Sequence, residues 1–215
     1  MWYHVHREGR TVEYIGTELE IREIPYKEFT GYDRQDIASR FRQVIETEGP
    51  VVDDFLELKV LKSYTIFQRG SLIAPFLRSV LLSVGAVCTR QTDCDGQEHL
   101  VFWPERFRGL EADIEALRCD AFTDFRPSGQ KDLMPEGTFR AIADFPQIEV
   151  FNAMKAVLAE GDALKKDVLL TETNHALGFL VKGRQIRLTL ESVLKAGAAN
   201  GTFIYSRRNG TVRLR

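Results

Sequence analysis

The apolar positions of this chain fall into helical stripes separated by short strand-like runs. Ile37, Phe41, Val44 and Ile45 recur at i, i+4, i+7 and i+8, which predicts a helix with one buried face. Asp33 or Asp36 stands where its cap belongs, and Gly49-Pro50 ends it. Val51, Phe55, Leu56 and Val60 predict a second helix. After the turn Phe67-Gln68-Arg69-Gly70, a third carries Ile73, Leu77, Val80 and Leu81 inward. Pro75 is tolerated only in a first helical turn, so that helix begins near Leu72 or Ile73. Two strands, residues 86–91 and 99–103, follow around the hairpin turn Asp93-Cys94-Asp95-Gly96.

The same pattern returns 113 positions later. Residues 37–83 align with 150–196 without a gap, and nine of the 47 pairs are identical. Val150, Met154, Val157 and Leu158 repeat the first stripe, and Ile186, Leu190, Val193 and Leu194 repeat the third. Between them, Gly161-Asp162 breaks the first helix and residues 164–176 read as the second. Residues 202–206 and 211–214 read as strands joined by Arg207-Arg208-Asn209-Gly210, a strong hairpin signal. A repeated core pattern means one small fold used twice.

Alternation in residues 1–15, then a short run at 18–24 stopped by Pro25, predicts strands ahead of the first copy. Residues 104–142 break the periodicity with Pro104, Gly109, Pro127, Gly129, Pro135 and Gly137, and hold at most a short helix near 110–118. Phe139-Arg140-Ala141-Ile142 echoes Ile21-Arg22-Glu23-Ile24, since both lie just before a copy, and reads as a strand. The expected architecture is α+β: an N-terminal β segment (1–24), a winged-helix-like repeat (25–103), an irregular connector (104–144) and a second winged-helix-like repeat (145–215). Each repeat would be three helices followed by a β-hairpin wing.

Composition adds little until it is divided along the chain. The whole is ordinary for a globular protein, 44% hydrophobic and 28% charged with net charge −2, so it is not a polyanion binder throughout. No apolar run approaches the ~20 residues of a membrane span, and residues 1–6 lack a signal-peptide core. Three cysteines without a CxxC pair fit free thiols in a cytoplasmic setting. From Lys182 onward, however, Lys182, Arg184, Arg187, Lys195, Arg207, Arg208, Arg213 and Arg215 face the single acid Glu191. Arg184, Arg187 and Lys195 belong to the third helix, and Arg207 and Arg208 to the wing tip. These are the parts a winged helix presents to a duplex, where arginine binds phosphate bidentately and counterion release drives association. Gln185 is placed to reach a base edge.

The first copy carries different chemistry. Ser71, Ala74 and Leu82 replace Arg184, Arg187 and Lys195, and its wing tip is acidic. Leu72, Pro75, Phe76 and Leu82 make its third helix apolar nearly all round, which predicts burial against the connector, residues 1–24 or a partner. Phe102 and Trp103 suit burial against the connector better than stacking on bases. Asp53-Asp54 with Glu57-Leu58-Lys59 mimics the acidic-then-ExK pattern of metal nucleases, but all fall on one predicted helix rather than on neighbouring strands. His4 and His6 share a strand face without a third ligand, and His99 and His175 stand isolated, so no metal site is expected. No phosphate-cradling glycine loop, GxSxG elbow or HExxH motif occurs, and no catalytic residue or cofactor is expected.

Glu23-Ile24-Pro25, the run Arg42-Gln43-Val44-Ile45-Glu46-Thr47-Glu48-Gly49-Pro50, Phe102-Trp103-Pro104 and Gly183-Arg184-Gln185-Ile186-Arg187 together carry a resemblance. With them, most of residues 20–215 resembles the bacterial domain of unknown function 3320 family, found at the C-terminal end of helicase-related proteins. The resemblance implies a context, an accessory part of a nucleic-acid-processing machine, and no activity. The expected function is a non-enzymatic nucleic-acid-binding or docking module, with DNA or RNA and the helicase or nuclease domains of a parent protein as partners. The alternative is a protein-interaction scaffold whose basic face meets acidic protein.

Overall fold

A computed structural model describes residues 16–128, 139–159, 163–181 and 183–215. They form a mixed α+β structure that divides into two compact units. The first comprises residues 16–90 and 99–111, and the second residues 91–98 and 112–215.

In chain order the elements are α1 (Arg34–Glu48), β1 (Val51–Val52), α2 (Asp53–Lys62), α3 (Ile73–Ser83), β2 (Val87–Thr92) and β3 (Glu98–Trp103). The short α4 (Glu111–Glu115) leads to α5 (Gln147–Ala159), β4 (Leu164–Lys165), α6 (Lys166–Ala176), α7 (Arg184–Ala199), β5 (Phe203–Ser206) and β6 (Thr211–Leu214). The 113-residue offset holds in three dimensions: β1 maps onto β4, and α2 onto α6, residue for residue at their starts. Both sheets are three-stranded with equivalent order, β1-β3-β2 and β4-β6-β5.

The stripes read from the sequence form the cores. Ile37, Phe41, Val44 and Ile45 pack with Leu56, Val60, Ile73, Leu77, Val80, Leu81 and Phe102 in one cluster of the first unit. Val150, Met154, Val157, Leu158, Leu190, Val193 and Leu194 are buried in the second, with Phe203 and Val212 from its hairpin. Each such side chain contributes about 1.5–3 kcal/mol through lost contact with water. Asp33, not Asp36, caps α1, accepting the Gln35 N–H at 2.8 Å.

Four expectations are corrected. Val51-Val52 and Leu164-Lys165 are not helical; each pair is a two-residue strand. Val51 pairs with Phe102, Val52 with Val101, Leu164 with Val212 and Lys165 with Thr211, so each hairpin gains a third strand. Runs this short show no period. Residues 18–24 are extended without ladder partners, joined to the core by Arg22 N–H on the Ser63 carbonyl; residues 1–15 lie outside the described residues. Residues 139–142 are not a strand either, and pass into a 3-10 turn over Ile142–Asp144. Nor is α3 buried all round: Leu72 and Leu82 are 75% and 55% exposed, and Pro75 is exposed.

The echo between 21–24 and 139–142 is real in another sense. Arg22 reaches Asp36 at 2.8 Å, near the start of α1, where Asp36 also takes Tyr64 Oη and Arg40. Arg140 reaches Glu149 at 3.0 Å, at the equivalent place on α5, and Arg126 joins it. The same ion pair anchors the segment entering each copy, without strand pairing.

Candidate nucleic-acid interface and an adjoining cleft

The predicted basic residues sit on α7 and on the β5–β6 hairpin of the second unit. Helix α7 buries Leu190, Val193, Leu194 and Gly197. Arg184, Arg187, Glu191 and Lys195, spaced three or four apart, form one stripe beside that face. Arg207 and Arg208 stand exposed in the turn between β5 and β6. Lys166 links the two parts. Its backbone N–H donates to the Gly210 carbonyl at 3.0 Å, and its Nζ meets Glu191 at 2.9 Å. The β5–β6 turn therefore lies beside the middle of the α7 stripe.

The stripe is less positive than the sequence implies. Arg187 is held by Glu191 at 3.3 Å and Asp167 at 3.7 Å. The hydrogen bond from Lys166 holds the Glu191 carboxyl below its usual range against the opposing effect of burial, and Arg187 adds to it. Arg184, Lys195, Arg207 and Arg208 are exposed and make no ion pair among the described residues. Arg213 is exposed on β6 and donates only to the Leu214 carbonyl, while Lys182 lies outside the described residues.

Gln185 is placed differently from expectation. Its amide donates to Asp95 Oδ2 at 2.9 Å and lies 3.0 Å from Cys94 Sγ, so it is engaged by the acidic hairpin tip. Thr189 lies one helical turn further along the same side, also against Cys94. The tip itself is a tight turn in which Asp93 Oδ1 accepts from the N–H groups of Asp95 and Gln97. The Asp95 carboxylate therefore stands against this side of α7, where it repels phosphate.

Beside the stripe, α6 and the first turn of α7 enclose a cleft of about 360 Å³ lined by Thr171, Asn174, Gly183, Arg184, Arg187 and Leu190 among others. Gly183 precedes the 16-residue α7 without a side-chain cap, and both Gly183 and Arg184 line the cleft. Asn174 is 3% exposed. Its Nδ2 donates to the Phe179 carbonyl at 2.9 Å, while its Oδ1 has no partner. A buried orphan acceptor costs about 1–3 kcal/mol. The equivalent residue in the first copy is Leu61, fully buried at no such cost. Asn174 was not singled out from the sequence, yet the alignment at 113 residues carried the signal: a polar side chain at a core position.

In the first unit the acidic residues of the nuclease-like run do lie on one helix, α2, as expected, but His99 is not isolated. Asp53, Asp54 and His99 offer ligand atoms all within 4.8 Å of one another, with His99 Nδ1 3.5 Å from Asp53. The carboxylates are already engaged by arginine: Arg69 with Asp54 and Glu57, and Arg78 with Asp53 at 2.5 Å and Glu57 at 2.9 Å. Burial raises Glu57 above the usual carboxylate range despite Arg69 and Arg78. Burial also pushes Asp54 upward, but Arg69, His99 and Arg78 together outweigh it and the net direction is down. Two arginines thus tie three carboxylates into one ion-pair network.

Trp103 and Phe102 are buried as expected. The Trp103 indole N–H donates to Thr89 Oγ1 at 2.9 Å and its ring meets Phe107 edge-on at 5.2 Å, so neither ring offers a stacking surface. Among the described residues no helix is long and apolar enough to cross a membrane. The chain matches no protein-family model, no curated protein and no solved structure.

Proposed function

We propose that the chain is a non-enzymatic nucleic-acid-binding module whose second unit works as a winged helix. Helix α7 faces the duplex and the β5–β6 turn is its wing. The carrying observation is the set of exposed cations free of ion pairs, Arg184, Lys195, Arg207 and Arg208, on the two elements that Lys166 brings side by side. The order helix, strand, helix, helix, strand, strand with the first strand beside the last supports the winged-helix reading of both units. With Gln185 tied to Asp95, base-edge reading falls away, and binding is to phosphates, with sequence preference at most through shape. Association with a helicase-related machine rests on the resemblance of the motifs alone.

Salt dependence tests this. Four phosphate contacts give a slope of log K against log [salt] of about −3.6, and Arg184→Ala/Arg207→Ala/Arg208→Ala reduces it to about −0.9. Absence of binding to any duplex or single strand at low salt overturns the proposal.

A second reading has its own observation. The first unit exposes Phe67, Leu72 and Leu82, at 64%, 75% and 55%. Exposed apolar groups of this size favour docking to a protein partner. In that reading the first unit docks and the second holds nucleic acid, or the basic face meets an acidic protein surface instead.

A further inference from the structure

We propose that the outer face of the β5–β6 hairpin, with the cleft at its base, binds a single-stranded segment of nucleic acid. The proposal rests on the reading of the second unit as a nucleic-acid-binding module, but it uses a surface other than the α7 stripe.

Strand pairing sorts the hairpin into two faces. Phe203 and Val212 are buried, Phe203 against Phe151 and Gly197 of α7. Their neighbours Ile204 and Arg213 are cross-strand partners, so both belong to the opposite, outer face, where both are exposed. Arg215 continues the strand, its N–H donating to the Thr202 carbonyl at 3.0 Å. It stands on the outer face about 7 Å beyond Arg213. At the base of the hairpin Arg215, Arg118 and Lys155 line a cleft of about 380 Å³ with Thr202 and Leu214, and none of its described lining residues is acidic. Arg118, Lys155, Arg213 and Arg215 make no ion pair among the described residues. The first unit treats the same face differently. Val51 and Leu164 are equivalent and pair with Phe102 and Val212, which makes Trp103 the counterpart of Arg213. Trp103 is buried, with Phe107 against its ring and its N–H on Thr89. A face that the first unit closes with its own side chains is open and cationic in the second.

The chemistry of this face selects a flexible polyanion. Residues 192–215 contain no acid, and Arg207, Arg208, Arg213 and Arg215 mark the hairpin from tip to base with groups that bind phosphate. The C-terminal end of α7 at Asn200 borders the cleft, and its carbonyl dipole opposes an anion there. Contacts shared along a backbone are therefore favoured over one tightly held phosphate. A duplex is stiff over about 150 base pairs, so one lying on the α7 stripe does not bend round the sheet to its outer face. A single strand can turn at Arg207-Arg208 and follow Arg213 to Arg215, Arg118 and Lys155. Ile204, beside Arg213, and Tyr205, 45% exposed on the edge strand β5, offer apolar and aromatic surface to unpaired bases. Bases inside a duplex stay stacked on one another and make no use of it. The ligand that fits both surfaces is a duplex with a single-stranded tail.

Fluorescence anisotropy with the full chain tests this. The probes are a blunt duplex, the same duplex carrying a 5′ or a 3′ tail of about ten thymidines, and the oligothymidine alone; that length lies within the site sizes of about 4–16 nucleotides typical of single-strand binders. The expected result is about tenfold tighter binding with one of the tails, and a salt slope steeper by about 2.8, from four further contacts at about 0.7 each. Arg118→Ala/Lys155→Gln should halve the added slope and leave the blunt duplex unchanged, the glutamine keeping a stem over the Phe151 ring. Arg213→Glu should abolish the gain from the tail, and stands as the test if the double variant does not fold. Equal binding of blunt and tailed duplexes, a gain unchanged in these variants, or competition by polyglutamate as strong as by oligothymidine overturns the proposal. If the blunt duplex binds and neither tail adds to it, this proposal fails and the duplex reading stands. If oligothymidine binds and the blunt duplex does not, the duplex reading fails and the outer face of the hairpin remains the site.

Discussion

Replacing Glu149 by leucine should be the most damaging single polar substitution in the second unit. The Glu149 carboxylate is 0% exposed, and the two arginines around it, Arg126 and Arg140, are 9% and 2% exposed. It accepts from the Arg126 backbone N–H at 3.0 Å, from the Arg126 side chain, and from Arg140 Nη1 and Nη2 at 3.1 and 3.0 Å. Leucine removes the carboxylate that both guanidinium groups bind while leaving the groups inside. Breaking a buried pair this way costs about 3–5 kcal/mol, a large share of a typical stability of about 5–15 kcal/mol. Exchanging all three charges, Glu149→Leu/Arg126→Met/Arg140→Met, should recover more than half of the loss. Recovery stays incomplete because the Arg126 N–H loses its acceptor, worth about 1–3 kcal/mol. Asp36→Asn is the control. Asp36 has the same place in the first copy, but its side chain is 20% exposed and that of Arg22 is 41% exposed, so solvent screens that pair, while the buried Arg40 keeps the Glu20 carbonyl and Ser63 Oγ as acceptors, and the expected loss is about 1 kcal/mol. Urea unfolding followed by circular dichroism measures all four proteins. A Glu149→Leu loss below about 1 kcal/mol, or a triple variant no better than the single one, would refute the reasoning.

Other outcomes follow from the same structure. Burial opposes ionisation of Glu149, but Arg126 and Arg140 outweigh it and hold its pKa below the usual value. Its contribution is therefore fully present above the unfolded value near about 4.3 and fades as pH falls through the folded one. Unfolding midpoints measured from pH 7 down to 3 should drop for the natural chain, and this part of the drop should be missing in Glu149→Leu. Gly197→Ala in α7 inverts an ordinary expectation. Alanine usually gains about 1 kcal/mol over glycine within a helix. Here its Cβ would stand 2.3 Å from Phe203 Cδ2 and 2.9 Å from Phe151 Cε2, so a loss of about 1–3 kcal/mol is expected in thermal unfolding; a gain would mean the rings move aside freely.

The sequence by itself determined the repeat, the buried stripes and the hairpins, because these depend on local period and turn chemistry. Ile37, Phe41, Val44 and Ile45 must share a helical face wherever the helix lies, and Asn209-Gly210 turns the chain whatever surrounds it. It also located the charge of the second copy. Tertiary structure decided which charges remain available. Arg187 is drawn to Glu191 and Asp167, and Gln185 is taken by Asp95, 90 positions away in the chain. It likewise decided that Val51-Val52 and Leu164-Lys165 are strands, since two residues become a strand only when Val101, Phe102, Thr211 and Val212 arrive to pair with them. And it alone showed that Asn174, an unremarkable amide in the sequence, lies buried at the cleft with its oxygen unmet. Hydrogen-bond satisfaction is a property of neighbours, which come from distant parts of the chain, whereas periodicity belongs to the segment itself.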